Sequence, residues 1–484
     1  MRPVPTGSAP PPHGFLRAHA VAAAGLAIYC VGLLLPLSHA PAHISLSIRV
    51  AALVLLGWSA RRQRSLTAWI FWAMIAGGEL GADAPAFAVS LRVFSDIFLR
   101  LIKTIVAPLI LGTLITGIAA HGQMRSLGRM GLKALLYFEV LTTIAMLIGL
   151  AAINITHAGV GLDVPAQHNT AVNGPAQPQA PQPAPPPLRW DEVLLHTFPE
   201  NIAKSVADNQ ILQVAVFAIL FGVAMGRLSA EKRAPLLRVI ESLTETMFAF
   251  TNVVMYYAPV GVGAAMAYTV GQMGPGVLFH LARLLLTLYG ALLAFGLLGM
   301  LPVALIAGVP IRRFLRAVAE PATIAFATST SEAALPRAME AMEALGVPRR
   351  IVAFVIPAGY SFNLDGSTLY LALASVFVAQ AAGVTLGWKQ QIFMVGTLML
   401  TSKGVAGVPR ATLIVLLATV AMFRLPEDPI FVILGIDALM DMARTSVNVV
   451  GNCLASVVVA RWEGEFGSER PAVETMEALP AAEA

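Results

Sequence analysis

Apolar stretches of about 20 residues alternate along the chain with short loops rich in Lys and Arg. Gly14 to Leu37 and His43 to Ser59 come first and predict a helical hairpin, its second arm short and carrying Arg49. The first arm lacks a small-residue cleavage site and reads as a retained helix rather than a signal peptide. Leu66 to Ala84, Val93 to Ala120, Leu135 to Ile155, Gln210 to Met225, Leu236 to Val270 and Val277 to Ala307 follow as spans. Pro108 predicts a kink, and Tyr256-Tyr257-Ala258-Pro259 falls partway along a long run. Basic clusters at Arg61-Arg62-Arg64, at Arg125, Arg129 and Lys133, at Arg227 and Lys232-Arg233, and at Arg312, Arg313 and Arg316 mark the cytoplasmic side. Their alternation puts both termini in the cytoplasm.

The pattern changes in the second half. Ala317 to Leu345 contains AEPATIAFATSTSEAALP, which is small and polar where a plain span would be most apolar. Gln391 to Phe423 is broken by TSKGVAGVP. Each fits a pair of half-helices meeting at an unwound tip, a backbone tolerated only against protein or a water-filled cavity. Two interrupted segments, each followed by a full span, predict an inverted repeat with a solute site at mid-membrane.

The last apolar segment, Phe431 to Ala460, carries Asp437, Asp441, Arg444, Thr445, Asn448 and Asn452. A helix puts these positions on one stripe. Each charge at that depth costs roughly 2.5–3.5 kcal/mol even on a lenient insertion scale. Two explanations fit: an Asp–Arg pair that ties helices together, or a polar site for a solute bearing charges of both signs.

Composition narrows the class. The 484 residues are 57% hydrophobic and 12% charged, against roughly 25% charged for soluble domains. The chain is expected to be an all-α polytopic membrane protein; continuous rather than alternating apolar runs argue against a β-barrel. The net charge of +5 follows from the basic loops and calls for no nucleic-acid partner. Cys30 and Cys453 both lie in apolar segments and form no metal or disulfide framework. There is no HExxH, no GxSxG and no recognisable nucleophile–base spacing, so an enzyme is not expected. The expected organisation is a disordered tail (1–13), an extra hydrophobic hairpin (14–64) and scaffold helices (65–310) with an external Pro/Gln-rich loop at 159–187. A transport core (311–465) and a flexible C-terminal tail (466–484) complete it.

Four groups of residues resemble the dicarboxylate/amino acid:cation symporter family, which includes bacterial and neuronal glutamate transporters. They are Ser329-Thr330-Ser331-Glu332, Asn363-Leu364-Asp365-Gly366-Ser367, Ser402-Lys403-Gly404-Val405-Ala406-Gly407-Val408-Pro409, and the polar stripe above. With the MYYAPVGV segment they cover roughly Ser65 to Glu465 in the family's order. The resemblance implies a glutamate-transporter-like fold with two re-entrant hairpins, a homotrimer and alternating access in the inner membrane. It implies that Arg444 grips a substrate carboxylate, a task suited to a guanidinium fork. Asp441 would receive the substrate's α-amino group, with Thr445 and Asn448 adding hydrogen bonds. Backbone groups at Ser331, Val405 and Gly407 would complete the substrate site. Dicarboxylate specialists resemble the same helix but tend to lack the aspartate. Retaining Asp441 therefore favours glutamate or aspartate, with a C4-dicarboxylate as the alternative. Asp441 also lies three residues from Arg444 and can simply neutralise it.

No cofactor is implied beyond the coupling ion, H+ or Na+. Gly359, Asn363, Asp365, Asp437 and Asn448 are the cation-binding candidates by resemblance, with hard oxygen ligands that suit sodium, the one metal ion considered. Three features depart from the sodium-coupled pattern. Asn452 stands where such relatives have an aspartate, Phe138 and Leu141 stand where they have Tyr and Thr, and Val405 replaces a threonine. Glu139 and Glu332 are carboxyl groups at membrane depth, where burial disfavours charge, and are the proton-carrying candidates. The expectation is therefore proton-driven uptake, with sodium as the alternative.

Overall fold

The structure, a computed structural model, describes residues 12–34, 42–120, 124–162, 195, 198–208, 210–402 and 411–467. Most of the expected N-terminal tail, the Pro/Gln-rich loop from 163 onward, the second tip from 403 to 410 (with Val405 and Gly407) and the C-terminal tail from 468 lie outside these residues.

The described residues are helical and contain no strand. Helix α1 is Pro12–Leu34, α2 Ala42–Gln63, α3 Leu66–Asp83, α4 Pro85–Ser90, α5 Arg92–Ala120 and α6 Met124–Thr156. They are followed by α7 (Ile202–Ala207), α8 (Ile211–Gly226), α9 (Ala230–Met255), α10 (Ala258–Met273) and α11 (Val277–Phe295). A π-helical turn, Gly296–Met300, leads into α12 (Leu301–Ile306), whose second residue is Pro302. The remaining helices are α13 (Ile311–Thr328), α14 (Ser331–Leu345), α15 (Arg349–Phe362), α16 (Asp365–Ala381), α17 (Trp388–Thr401), α18 (Ala411–Met422) and α19 (Asp428–Glu463).

Ile44–Gln63, Pro85–Thr116, Arg129–Thr156, Val277–Ile306 and Arg349–Ala381 are long and apolar enough to cross a membrane among the described residues. The helix boundaries differ from the hydropathy reading where local chemistry intervenes. Helix α1 already includes Pro12, for which a helix's first turn is a natural place. The long 236–270 run is two helices, separated at Tyr256-Tyr257, and Pro259 sits in the first turn of the second. Pro108 lies inside α5, which continues through it.

The chain divides into two units, residues 1–98 with 255–276 and residues 99–254 with 277–484. In the first unit α3 lies along α10 on small residues, with Ala73, Gly77 and Gly81 facing Gly263, Ala267 and Val270. A Cβ on Gly77 would run into the backbone carbonyl of Gly263, so only glycine allows this approach. The α1–α2 hairpin packs against α3 from another side.

The second unit is organised around α19, which packs against α6, α11, α13, α14, α15 and α16. Two interrupted segments read from the sequence take shape here. Helices α13 and α14 form a tight hairpin in which Ser329 adopts the left-handed conformation (φ 54°) and Thr330 is extended (φ −134°). Helices α17 and α18 form the arms of the second interrupted segment. Between the two, one long span is broken at Asn363-Leu364, where φ/ψ leave the helical region, before α16 resumes at Asp365. Almost every side chain of α16 is buried, whichever way it points, as expected of a helix with protein on all sides.

Candidate functional site

Arg444 is the largest fully buried side chain in the described residues, with no exposed surface. A bare guanidinium in that position would be untenable, and its surroundings show how the fold keeps it charged. Nε donates to Asp441 Oδ1 at 2.8 Å and Nη1 donates to Asp437 Oδ1 at 3.2 Å. The three residues stand at i, i+4 and i+7 on α19, so one helical face assembles the cluster by itself. The Tyr370 ring of α16 lies 4.3 Å from Arg444 Cζ, a cation–π contact in a water-poor setting. Thr445 Oγ1 donates to Asp441 Oδ1 at 3.3 Å. Of the two roles the sequence left open for Asp441, the geometry displays the one as counter-ion to Arg444. Asp437, a cation-binding candidate from the sequence, also lies on the guanidinium.

Asn448 has a different occupation. Its Oδ1 accepts from Gly366 N at 2.8 Å and Ser367 N at 3.2 Å, and its Nδ2 donates to Ser367 Oγ at 2.9 Å. These N–H groups belong to the first turn of α16, which has no intrahelical acceptor for them. Asn448 thus caps a helix from across an interface. Gly366 makes the approach possible, since a Cβ there would collide with the Arg444 carbonyl. Gly366 and Ser367 entered the sequence analysis only as part of a motif, with no role of their own, and Tyr370 did not enter it. The DGS triplet beginning an apolar run was the available signal for the first two, being a helix start with an unusually small first turn.

A second cluster surrounds the break itself. Asn363, Asp365 and Asn452 are all fully buried. Asn363 Nδ2 donates to Asn452 Oδ1 at 3.0 Å. Asn363 N donates to Gly359 O at 2.7 Å, and the hydrogen of Gly359 faces the Asn452 side chain where a Cβ would not fit. Gly451 in turn makes room for Asp365 Oδ2. The structure therefore brings Gly359, Asn363, Asp365 and Asn452 together. Thr142 Oγ1 donates to Asp365 Oδ1 at 3.3 Å, and Tyr137 Oη donates to Gly451 O at 3.4 Å. Phe138 and Leu141, the apolar departures from the sodium-coupled pattern, are buried, but their neighbours Tyr137 and Thr142 carry hydroxyls into the same region, a contribution not read from the sequence. Asn363 Oδ1 and Asn452 Nδ2 are buried with no hydrogen-bond partner among the described residues. One open acceptor and one open donor, both buried, are the pair that a bound water would satisfy.

Ser331 is the first residue of α14 and is buried, so its backbone sits at a helix N-terminus against α19. Glu332 beside it is exposed, and Glu139 on α6 is half-buried.

A long polar-striped helix, a helix broken between two buried asparagine and aspartate residues, and a left-handed hairpin tip define a membrane transporter. Residues 66–462 match the sequence model of the sodium:dicarboxylate symporter family, and the chain belongs to that family. It is 40% identical over 422 residues to the proton/glutamate-aspartate symporter of Escherichia coli (strain K12), covering 85% of this chain and 96% of that one. It is 39% identical over 415 residues to the proton/sodium-glutamate symport protein of Bacillus caldotenax, covering 83% and 96%. The C4-dicarboxylate transport protein of Solibacter usitatus (strain Ellin6076) is 42% identical over 408 residues, covering 83% and 93%.

Proposed function

We propose that the protein takes up an acidic amino acid, glutamate or aspartate, together with protons, by alternating access. The observation that carries this reading is the fully buried Arg444 held by Asp441 on the same helical face. An incoming carboxylate would compete for the guanidinium, and Asp441 would exchange Arg444 for the substrate's ammonium. A dicarboxylate without an amine gives Asp441 nothing in return. Ser331 and the second tip, with Val405 and Gly407, would add backbone donors. Glu139 and Glu332 are the proposed proton carriers, and residues 311–465 the moving core against scaffold helices from 65–310. The assembly would be a homotrimer in the inner membrane with both termini in the cytoplasm.

The test is uptake into proteoliposomes with aspartate, glutamate, succinate and neutral amino acids as competitors. Asp441→Asn should cripple glutamate uptake; where succinate is also carried, its uptake should persist. Equal loss of both would refute the amine role of Asp441. Succinate uptake with no acidic amino-acid uptake would replace this reading by the C4-dicarboxylate one.

Sodium coupling has one observation in its favour: the hydroxyls of Tyr137 and Thr142 beside the buried Asn363 and Asp365. Against it, Asn452 carries no charge, and removing an anionic ligand weakens a cation site directly. Accumulation driven by a sodium gradient at fixed pH, and absent with a proton gradient alone, would overturn the proton reading.

A further inference from the structure

The family match begins at residue 66, so α1 and α2 lie outside it, whereas Glu79 and Asp83 lie within it. Glu79 nonetheless takes a hydrogen bond and an ion pair from residues of the extension. Tyr29 Oη, from α1, donates to Glu79 Oε2 at 2.7 Å. Arg49, from α2, places Nη1 at 2.5 Å from Glu79 Oε1 and Nη2 at 3.6 Å from Asp83 Oδ1. Each oxygen of one carboxylate is thus taken by a different arm of the hairpin. The side chains of Arg49 and Glu79 are 14% and 8% exposed, so this is an interior ion pair.

The hairpin is shaped for the contact. Gly32 lets Arg49 cross α1, because a Cβ there would lie 2.7 Å from Arg49 Cγ. Ser45 Oγ donates to Gly32 O at 2.8 Å and pins the two arms at that level. Further along, Trp72 Nε1 donates to Leu53 O at 2.9 Å, over Gly57, whose missing Cβ would lie 3.0 Å from the same nitrogen. Trp72, Glu79 and Asp83 form one stripe of α3, distinct from the Ala73, Gly77 and Gly81 stripe that meets α10.

We infer that the N-terminal extension is an obligate intramolecular partner of α3, supplying through Arg49 and Tyr29 the counter-charge and the hydrogen bond that the buried Glu79 needs, with the exposed Asp83 adding a longer contact to Arg49. A hairpin that served only to anchor the chain would need neither arginine nor tyrosine facing α3, and would leave the buried Glu79 carboxylate uncompensated. Breaking a buried pair by removing one partner is costly, whereas replacing the whole pair by apolar groups is often neutral. The two expectations separate this inference from simple apolar packing.

The experiment is an SDS-unfolding titration of the full-length protein and three full-length variants in mixed micelles. Arg49→Leu, which strands the buried Glu79 carboxylate, should raise the unfolded fraction about a hundred-fold at fixed SDS. Glu79→Leu, which strands Arg49, should act in the same direction. The triple variant Arg49→Leu/Glu79→Leu/Asp83→Asn should recover to within about ten-fold of the wild type. A wild-type titration for Arg49→Leu would overturn the inference. So would a triple variant no more stable than Arg49→Leu alone, since the losses would then be packing losses that add. The readout is independent of transport, so its outcome leaves the proposed function untouched.

Discussion

Asn448→Ala tests what the polar stripe of α19 does in the absence of solute. The sequence suggested a side chain turned towards the substrate, whereas the structure turns it towards the first turn of α16. Truncation removes the acceptor for Gly366 N and Ser367 N and the donor to Ser367 Oγ, all buried. A buried N–H left without an acceptor costs about 1–3 kcal/mol. Two such groups, relieved in part by local rearrangement, give a destabilisation of about 3 kcal/mol, or some two decades in the folding equilibrium. The assay is SDS or thermal unfolding of purified protein with no substrate present, repeated at saturating substrate. The reasoning predicts that the loss is already present without ligand. If Asn448→Ala changed substrate-free stability by less than about 0.5 kcal/mol while weakening substrate binding, the capping role would be refuted and a purely substrate-facing one restored.

Arg444→Lys keeps a charge between Asp437 and Asp441 but loses the planar fork and the stack on Tyr370; acidic-substrate affinity should fall at least ~10-fold with the fold retained, measurable by binding isotherms on monodisperse protein. Gly366→Ala forces a methyl against the backbone of α19 and should abolish uptake and lower the unfolding midpoint, whereas Gly276→Ala, which meets nothing within 4 Å, should leave both unchanged. Lys133 and Arg129 bond the Glu463 carboxyl and hold it below its ordinary range. Because the folded-state value is depressed, this stabilisation is present above the unfolded-state value and is lost as pH falls through the folded one. Glu463→Gln should therefore flatten the acid limb of a stability–pH curve, by no more than ~1 kcal/mol for so peripheral a group.

Hydropathy made most of the fold legible, because a bilayer-length apolar run admits few alternatives to a helix. The interruptions at Ser329 and at Asn363 were visible for the complementary reason, being polar where apolar residues were required. What stayed hidden was pairing. The offsets of Asp437, Asp441 and Arg444 put them on one face, but not which carboxylate would hold which nitrogen. Tyr370 is one aromatic among many until α16 is laid across α19. Tyr137 and Thr142 show the limit most clearly: they are ordinary residues of an apolar run until α6 is laid beside Gly451 and Asp365. The extension was legible as a hairpin, and Arg49 within it as an oddity, but its counter-ions lie thirty residues further on.

Taken at formal charge, one guanidinium between two carboxylates leaves a net −1 at the middle of α19. Moving one elementary charge through a membrane potential involves about 2.3 kcal/mol per 100 mV. Any displacement of α19 along the bilayer normal therefore does electrical work, against or with the resting voltage, before a solute arrives. A bound cation or proton cancels that work and a bound anion adds to it. On that arithmetic the three side chains would couple any such displacement to voltage, and the expected outcome is a charge-movement current in the substrate-free protein that shrinks in Asp437→Asn.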